Sequence, residues 1–208
     1  MKTIKYILLG VILLSLVISS FAQSGRVTFC ETYTQEEVLS RLDPEERFFT
    51  LINLENTDPE SSRIGRCDEA DFKDLRSYID SEAFRAKVQK DLVIASGAEI
   101  KDHTISLYAI RKSASNEAMP LQQEVEEVSI SKSDSEENYA LLLTFSESGA
   151  KLWAQLTRAN IGKDIAILFD GKVISAPRVQ EEIKGGKLMI SGKFSESEIK
   201  ELKAILEN

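Results

Sequence analysis

Apolar and polar residues alternate along the first half of the chain in a pattern that predicts strands and several short helices. A β-rich run over 27–33 places Val27, Phe29 and Tyr33 on one face of a strand, and further strands are predicted over 92–95 and 104–110. Residues 56–63 are interpreted as a polar loop. Apolar residues at helical spacing follow typical N-cap residues, which are Thr34 with Glu37, Asp43 before Pro44, Asp68 with Asp71, and Ser81.

The second half of the chain predicts the element order β-β-α-β-β-β-α. Its strongest local feature is Asp170-Gly171 between two β-rich runs, because a two-residue hairpin turn of this kind needs positive φ at both central positions. Ser146 and the pair Ser195 with Glu198 have the spacing of helix N-caps. We therefore expect an α+β protein with mainly antiparallel sheets, helices packed on one face, and a ferredoxin-like C-terminal lobe.

Composition suggests where the chain divides. Residues 111–121 contain serine, asparagine and proline with little apolar content, which is typical of a linker. We interpret them as a hinge between an N-terminal lobe over 23–110 and a C-terminal lobe over 122–208.

The first residues predict a signal peptide over 1–22. Lys2 and Lys5 precede an apolar run over 6–18, and Ser20-Phe21-Ala22 provides small residues before a cleavage site at Gln23. The alternative is an uncleaved membrane anchor. A helix over 6–18 would reach roughly 20 Å, whereas the hydrocarbon layer is roughly 30 Å thick, so cleavage is favoured.

Charge narrows the classes of partner. The formal net charge is −8, and the predicted signal peptide contributes two lysines and no acidic residue, so the rest of the chain is more acidic still. Such a surface repels nucleic acids and anionic lipids. We expect no nucleic-acid partner, and membrane contact only through the N-terminal segment if it stays uncleaved.

The two cysteines, Cys30 and Cys67, allow two interpretations. An exported protein with an even number of cysteines favours a disulfide. Cysteine also packs as a small apolar side chain, so two buried free thiols explain the pattern equally well. Both alternatives stay open from the sequence.

The sequence offers little to catalysis. His103 is the single histidine and falls in a polar turn, without the Gly-x-Ser-x-Gly motif of a nucleophile elbow. Cys30, Cys67 and His103 lack the close spacings of zinc ligands, and the acidic groups near Asp43 and Asp68 are explained by helix capping. We expect no enzyme, no catalytic residue, no metal and no cofactor.

Two features are candidates for binding. Trp153 lies among the inward positions of a predicted helix, which favours a core role over a binding role. The hairpin over 165–177 offers an edge on which an extended peptide would add as a strand, or else it is an ordinary part of the sheet.

The C-terminal residues resemble a known family. Their order and spacing are similar to those of the first periplasmic domain of the SecDF protein-export factors, in its head part. The residues that carry this resemblance are Gly162, Ile165-Ala166-Ile167, Asp170-Gly171, Val173, Ser175-Ala176-Pro177, Ile183, Gly185-Gly186, Ile190-Ser191-Gly192, Phe194 and Glu198. Weaker similarity in Phe29-Cys30-Glu31-Thr32-Tyr33, Ile64-Gly65 and Lys90-Asp91-Leu92 extends it to the base part, with Cys30 where relatives usually have tryptophan.

The resemblance implies a periplasmic module that binds polypeptide or docks on a translocon or another envelope complex. The family's membrane helices couple proton flow to movement of the head, and we expect this chain to lack that motor, because its one apolar stretch carries no ionisable residue. An alternative hypothesis is a diverged structural protein of the cell envelope with an unrelated partner. If the N-terminal segment stayed uncleaved, the protein would be anchored in the inner membrane.

Overall fold

The computed structural model describes residues 27–54, 58–112, 120–132, 139–192 and 194–207. The predicted signal peptide lies outside these ranges. The strands are β1 (Val27–Glu31), β2 (Arg63–Asp68), β3 (Leu92–Lys101), β4 (Thr104–Arg111), β5 (Val125–Lys132), β6 (Tyr139–Phe145), β7 (Ile165–Phe169), β8 (Lys172–Ser175) and β9 (Lys187–Ser191). The helices are α1 (Gln35–Leu39), α2 (Phe48–Leu51), α3 (Phe72–Ile79), α4 (Glu82–Arg85), α5 (Glu147–Ala159) and α6 (Glu196–Leu206), with a 3-10 helix at Pro120–Glu124.

The strands form two sheets, and this mixed α+β architecture agrees with the predicted class. A six-stranded sheet has the order β1-β7-β8-β3-β4-β2, and a three-stranded sheet has the order β5-β6-β9. All the pairings are antiparallel except that of β3 with β8.

The element order predicted for the C-terminal half is confirmed, but its five strands do not share one ferredoxin-like sheet. The β7–β8 hairpin leaves β5, β6 and β9 and inserts between β1 and β3. The physical reason lies in the unbroken apolar run of β7, which is buried on both faces. Ile165 and Ile167 pack into one core while Ala166 and Leu168 pack into another, so the strand needs cover on each side.

Three apolar clusters hold these layers together. The first, which we call the head core, lies between the three-stranded sheet, α5, α6 and β7, and it also receives Val27 and Phe29 from β1. The second lies among β2, β3, β4 and helices α1 to α4 in the N-terminal half. A smaller third cluster lies on the other face of β7 and β8. The N-terminal strand therefore contributes to the core of the C-terminal half.

Local capping predictions are largely confirmed. Thr34 with Glu37 and Ser195 with Glu198 form complete capping boxes at α1 and α6. Ser81 and Ser146 are the N-cap residues of α4 and α5, and their side chains accept hydrogen bonds from the backbone N–H groups of Phe84 and Gly149.

Other predictions in the N-terminal half were wrong. Asp43 does not begin a helix; its carboxylate accepts a hydrogen bond from Glu45 N at 3.0 Å in a turn, and α2 begins only at Phe48. Asp68 ends strand β2, which the polar composition concealed. The helix predicted after Asp71 does form as α3, with Asp71 at its N-cap position but without a side-chain cap bond. β2 contains charged residues, but its backbone pairs with the neighbouring strand β4, and this pairing stabilises it.

The predicted linker over 111–121 overlaps ordered elements at both ends. Arg111 ends β4, and Leu121 is fully buried in the head core. Residues 113–119 lie outside the described ranges, so the division into two lobes stays a prediction. Within the described ranges no helix has the length and apolar character needed to cross a bilayer.

The disulfide alternative for Cys30 and Cys67 was wrong, since both are free thiols. Cys67 is buried in the N-terminal core, where its thiol donates to the Asp68 carbonyl at 3.3 Å. Cys30 packs against the third cluster, on the other side of the six-stranded sheet. The two side chains therefore face different cores.

Candidate binding surface

His103 lies apart from other reactive groups. Asp102 and His103 form the two-residue turn between β3 and β4, with φ of 51° and 59°. The His103 side chain is 97% exposed, and its Nδ1 lies 3.4 Å from Glu69 Oε2. Water surrounds this imidazole, so the site lacks the enclosure that activates a histidine.

The cysteines are poor nucleophiles at neutral pH. Burial, followed by the charges of Asp71 and Asp68, raises the pKa of Cys67 to about 11. Burial also raises the pKa of the Cys30 thiol. Because the thiolate is the reactive form, each raised pKa makes the thiol less nucleophilic at pH 7.

The residues described here contain no group of three or more His, Cys, Asp or Glu side chains arranged to hold a metal. A pocket of about 220 Å³ lies in the N-terminal half and is lined by Thr50, Leu51, Ile52, Asn53, Arg66, Asp68, Asp71 and Thr104. It is smaller than the roughly 300–1,000 Å³ typical of small-molecule sites, and its lining is more polar.

The structure confirms a core role for Trp153. Its ring lies 5.9 Å from the ring of Phe29 and 6.0 Å from that of Phe145, between centroids. Only 2% of the residue is exposed. Trp153 therefore joins β1 to the head core and is not part of an exposed surface.

The β7–β8 hairpin offers no free edge, so of the two interpretations of residues 165–177 the ordinary place in the sheet holds and strand addition there does not. β7 pairs with β1 on its outer side, from Val27 opposite Phe169 to Glu31 opposite Ile165. β8 lies beside β3 on its outer side, with Val173 opposite Gly97. Neither strand has room for an added peptide.

Most of the family-motif residues have structural roles. Gly162, Gly171 and Gly186 have φ of 82°, 78° and 61°, a region that favours glycine. The Pro177 carbonyl accepts from Ile165 N at 3.0 Å, and Gly192 lies against Phe194. The other members lie in or beside the β7–β8 hairpin and β9, namely Asp170, Ser175, Ala176, Gly185, Ile190 and Ser191.

Asp164 is the centre of a buried hydrogen-bond network that sequence reasoning missed, and we call this network the seam. Its carboxylate accepts from Ser62 N at 2.6 Å, Ser62 Oγ at 2.8 Å and Ser61 Oγ at 3.2 Å. Arg178 Nε lies 3.4 Å from the other carboxylate oxygen, and the Asp164 carbonyl accepts from Thr32 Oγ1 at 2.7 Å. An acidic residue directly before a fully apolar strand was the available signal. This seam ties the segment before β7 to the N-terminal half.

Strand β9 differs from the hairpin because its outer edge is unpaired within the described ranges. Phe145 N donates to Gly186 O at 2.8 Å, which fixes the hydrogen-bonding phase of the β6–β9 pair. Counting along the ladder, Leu188 and Ile190 bond to β6, whereas the N–H and C=O groups of Lys187, Met189 and Ser191 point away from it.

An independent contact supports this phase. Leu143 of β6 bonds to Leu188 of β9, so its backbone groups point away from β5. Val128 lies opposite Leu143 on β5, and its carbonyl therefore points away from β6. Lys203 Nζ donates to that carbonyl at 2.8 Å, as the phase requires. This bond, together with the irregular register between Val125 and Glu127, also obstructs the outer edge of β5.

The outer edges of the six-stranded sheet are partly occupied. Asn53 exchanges two backbone hydrogen bonds with Arg66 of β2, at 2.7 and 2.8 Å. On β1, Val27 N donates to the Gln122 side chain at 3.0 Å, and Thr32 at its far end bridges to Ile110. β9 differs in that no hydrogen bond or bridge occupies its outer edge among the described residues.

The outward face beside β9 carries exposed apolar side chains. Leu142 and Met189 are directly opposite on β6 and β9, with exposed fractions of 41% and 59%. Lys187 lies two residues before Met189 on the same face of β9. It is exposed and has no ion pair within the described part of the chain. We call Leu142, Lys187, Met189 and Ser191 the β9 surface.

Comparisons with known proteins place this surface in a matched segment. Residues 115–208 match a family model described as SecDF, P1 head subdomain. The chain is 50% identical over 64 residues to the protein translocase subunit SecD of Acidaminococcus fermentans, which covers 31% of this chain and 15% of that protein. It is 44% identical over 64 residues to the protein translocase subunit SecDF of Thermus thermophilus, covering 31% of this chain and 9% of that protein.

The matched segment is thus a small part of these relatives. A solved structure described as a membrane component SecDF that enhances protein export aligns with 93% of this chain and 66% of that one, at 21% identity and a TM-score of 0.47.

Proposed function

Because residues 115–208 match the SecDF P1 head subdomain and the chain resembles a SecD-type periplasmic domain, we propose that it is a translocation-associated module that binds unfolded polypeptide. The family match carries this proposal. The relatives it resembles are subunits of protein translocase, and the proposal assigns to this chain only the binding of polypeptide.

The chemistry of the described residues supports a binding role over an enzymatic one. The histidine is exposed to solvent beside Glu69, and the pKa of each thiol is raised by burial. The exposed apolar side chains and the open strand edge are features that recognise backbone and apolar side chains, which every unfolded polypeptide presents.

We also propose a periplasmic location reached by cleavage before Gln23. The basic start, apolar run and small residues of the first 22 positions support it. Expression with the native N-terminus, followed by intact mass measurement of the periplasmic protein, tests this point. A mass that retains residues 1–22 would show that the segment stays as an anchor.

Binding is tested with the protein recovered from the periplasm and a fluorescently labelled, permanently unfolded probe, such as a reduced and carboxymethylated polypeptide. We expect an anisotropy increase with a Kd of roughly 1–100 µM, the weak range of small interfaces. The same polypeptide in its folded, disulfide-bonded form is the matched control and should not bind.

No response to the unfolded probe would contradict polypeptide binding. Recovery of one defined envelope protein in a pull-down, without affinity for unfolded chains, would favour the alternative of a diverged structural protein with its own partner.

A further inference from the structure

We infer that β9 is the place where polypeptide binds, by addition of an extended segment as a fourth strand beside β9 in the β5-β6-β9 sheet. This inference rests on the proposed function and specifies its site, its geometry and the kind of segment that fits. The partner is an extended, apolar segment of another polypeptide, free of proline and bearing an acidic residue at one defined position.

The backbone of β9 determines the geometry. Lys187, Met189 and Ser191 direct their N–H and C=O groups outward, and their side chains lie on the exposed face. An added strand therefore forms its close hydrogen-bonded pairs opposite these three residues. Leu188 and Ile190 keep their bonds to β6, so addition leaves the existing ladder intact.

The side chains of the β9 surface determine which segment fits. A residue opposite Met189 lies on the same face as Met189 and Leu142, so an apolar side chain there buries both exposed groups. The residue opposite Lys187 is two positions away on the same face, and an aspartate or glutamate there would pair with a lysine that lacks a partner within the described ranges.

A second copy of this chain fits less well than a foreign segment. Twofold antiparallel pairing centred on Met189 would place Lys187 opposite Ser191 of the other copy, so the lysine would gain no acidic partner. Five residues of edge reach only about 17 Å. An edge of that length buries less surface area than the roughly 1,200–2,000 Å² of a stable protein dimer.

The test measures binding of a synthetic nine-residue peptide of alternating valine and threonine, with one aspartate two positions from the central valine. Met189→Pro removes an outward N–H that the β6 ladder does not use, and the proline ring obstructs the edge. We expect its affinity to fall about tenfold or more, and Met189→Thr, which keeps the N–H, to cost about threefold. Ile161→Thr removes a similarly exposed apolar side chain elsewhere in the matched segment and should leave affinity within about twofold.

A second measurement uses the unmodified protein, so it holds even if Met189→Pro fails to fold. The same peptide with alternate backbone nitrogens methylated on its pairing edge should lose binding, whereas methylation on the opposite edge should be tolerated. Equal binding of both methylated peptides, or of a well-folded Met189→Pro protein, would overturn the β9 site.

The outcomes separate this inference from the proposed function. If unfolded polypeptide binds the protein but none of these changes weakens it, the β9 site is wrong and polypeptide binding stands. If nothing binds, the proposed function fails. A concentration-dependent dimer in sedimentation that Met189→Pro abolishes, with no effect of peptide, would assign the edge to a second copy and overturn the inference.

Discussion

The β7–β8 hairpin and strand β9 lie close together in the same matched segment, yet the fold uses them in opposite ways. The hairpin is paired on both outer sides and buried on both faces of β7. β9 is paired on one side, with alternate residues exposed. The comparison shows that one part of the matched segment forms a closed joint to the N-terminal half, while another part has an edge that no described residue pairs with.

The difference follows from the apolar pattern of each strand. Ile165 to Leu168 have no polar residue among them, and such a strand is stable only with cover on both faces. Lys187 to Ser191 alternate polar or exposed residues with buried ones, which suits a strand with one face in water. We call the first region the joint and keep the name β9 surface for the second.

The largest expected effect comes from breaking the joint at β1. Phe29→Ala removes a buried ring that contacts Phe145 and Trp153, with centroids 6.2 and 5.9 Å away. We expect a loss of about 4 kcal/mol in the free energy of unfolding, measured by denaturant titration. The exposed Ile100→Ala is the control and should change it by less than about 0.5 kcal/mol. A small effect of Phe29→Ala would contradict the placement of β1 in the head core.

The polar seam of the joint is the next test. Asp164→Ala leaves the buried Ser62 N–H and hydroxyl without their acceptor and removes the partner of Arg178 Nε. We expect a loss of about 3 kcal/mol in the free energy of unfolding. Asp58→Ala, which removes an exposed partner of the same arginine, should cost about 0.5 kcal/mol or less. Equal losses for the two variants would show that Asp164 does not hold the seam.

Alkaline pH should weaken the N-terminal core through Cys67. Burial and nearby carboxylates raise its pKa from an ordinary value of 9.0 to about 11 in the folded protein. The unfolded chain therefore releases this proton first, so the stability it provides is complete below pH 9 and is lost as pH rises to about 11.

We expect this loss to be about 2 kcal/mol in the free energy of unfolding, because the stability falls by at most about 1.4 kcal/mol for each pH unit between the two pKa values. Denaturant titrations at pH 8 and pH 11 measure it. Cys67→Ala is the control and should show a smaller decrease over that interval. The same pH dependence in both proteins would rule out Cys67 as its source.

The smallest effect is expected in the hairpin turn. Gly171 has φ of 78° with nothing within 4 Å of an added Cβ, so Gly171→Ala introduces backbone strain without a clash. We expect a loss of about 1 kcal/mol. Gly185 has equally open surroundings without positive φ, and Gly185→Ala should be neutral or slightly stabilising. If both variants behave alike, the turn does not depend on glycine at position 171.

Sequence reasoning succeeded where structure depends on neighbours along the chain. The turn at Asp170-Gly171 and the capping box of Ser195 with Glu198 need only residues within three positions, and both are confirmed. Strand β2 was missed because its charged residues and Gly65 conceal the strand pattern, while its stability comes from β4 and the backbone of Asn53.

The candidate site was harder to predict for the same reason. The family resemblance covered the segment that contains β9, and residues 165–177 were correctly identified as a hairpin. Which edge stays open depends on the distant partners of each strand, which are β1 and β3 for the hairpin and, among the residues that the structure describes, only β6 for β9. The unbroken apolar run of β7 was an available signal for cover on both faces that the sequence analysis did not use.

Residue-resolved amide hydrogen exchange, with and without the unfolded probe, tests the contrast between joint and β9 surface most directly. In the free protein, the amides of Lys187, Met189 and Ser191 should exchange rapidly, while those of Leu188, Ile190 and Val173 are protected. Saturation with the probe should slow the first three and leave the others unchanged. Protection of the first three in the free protein, or their unchanged rapid exchange with probe bound, would contradict an open edge that receives polypeptide.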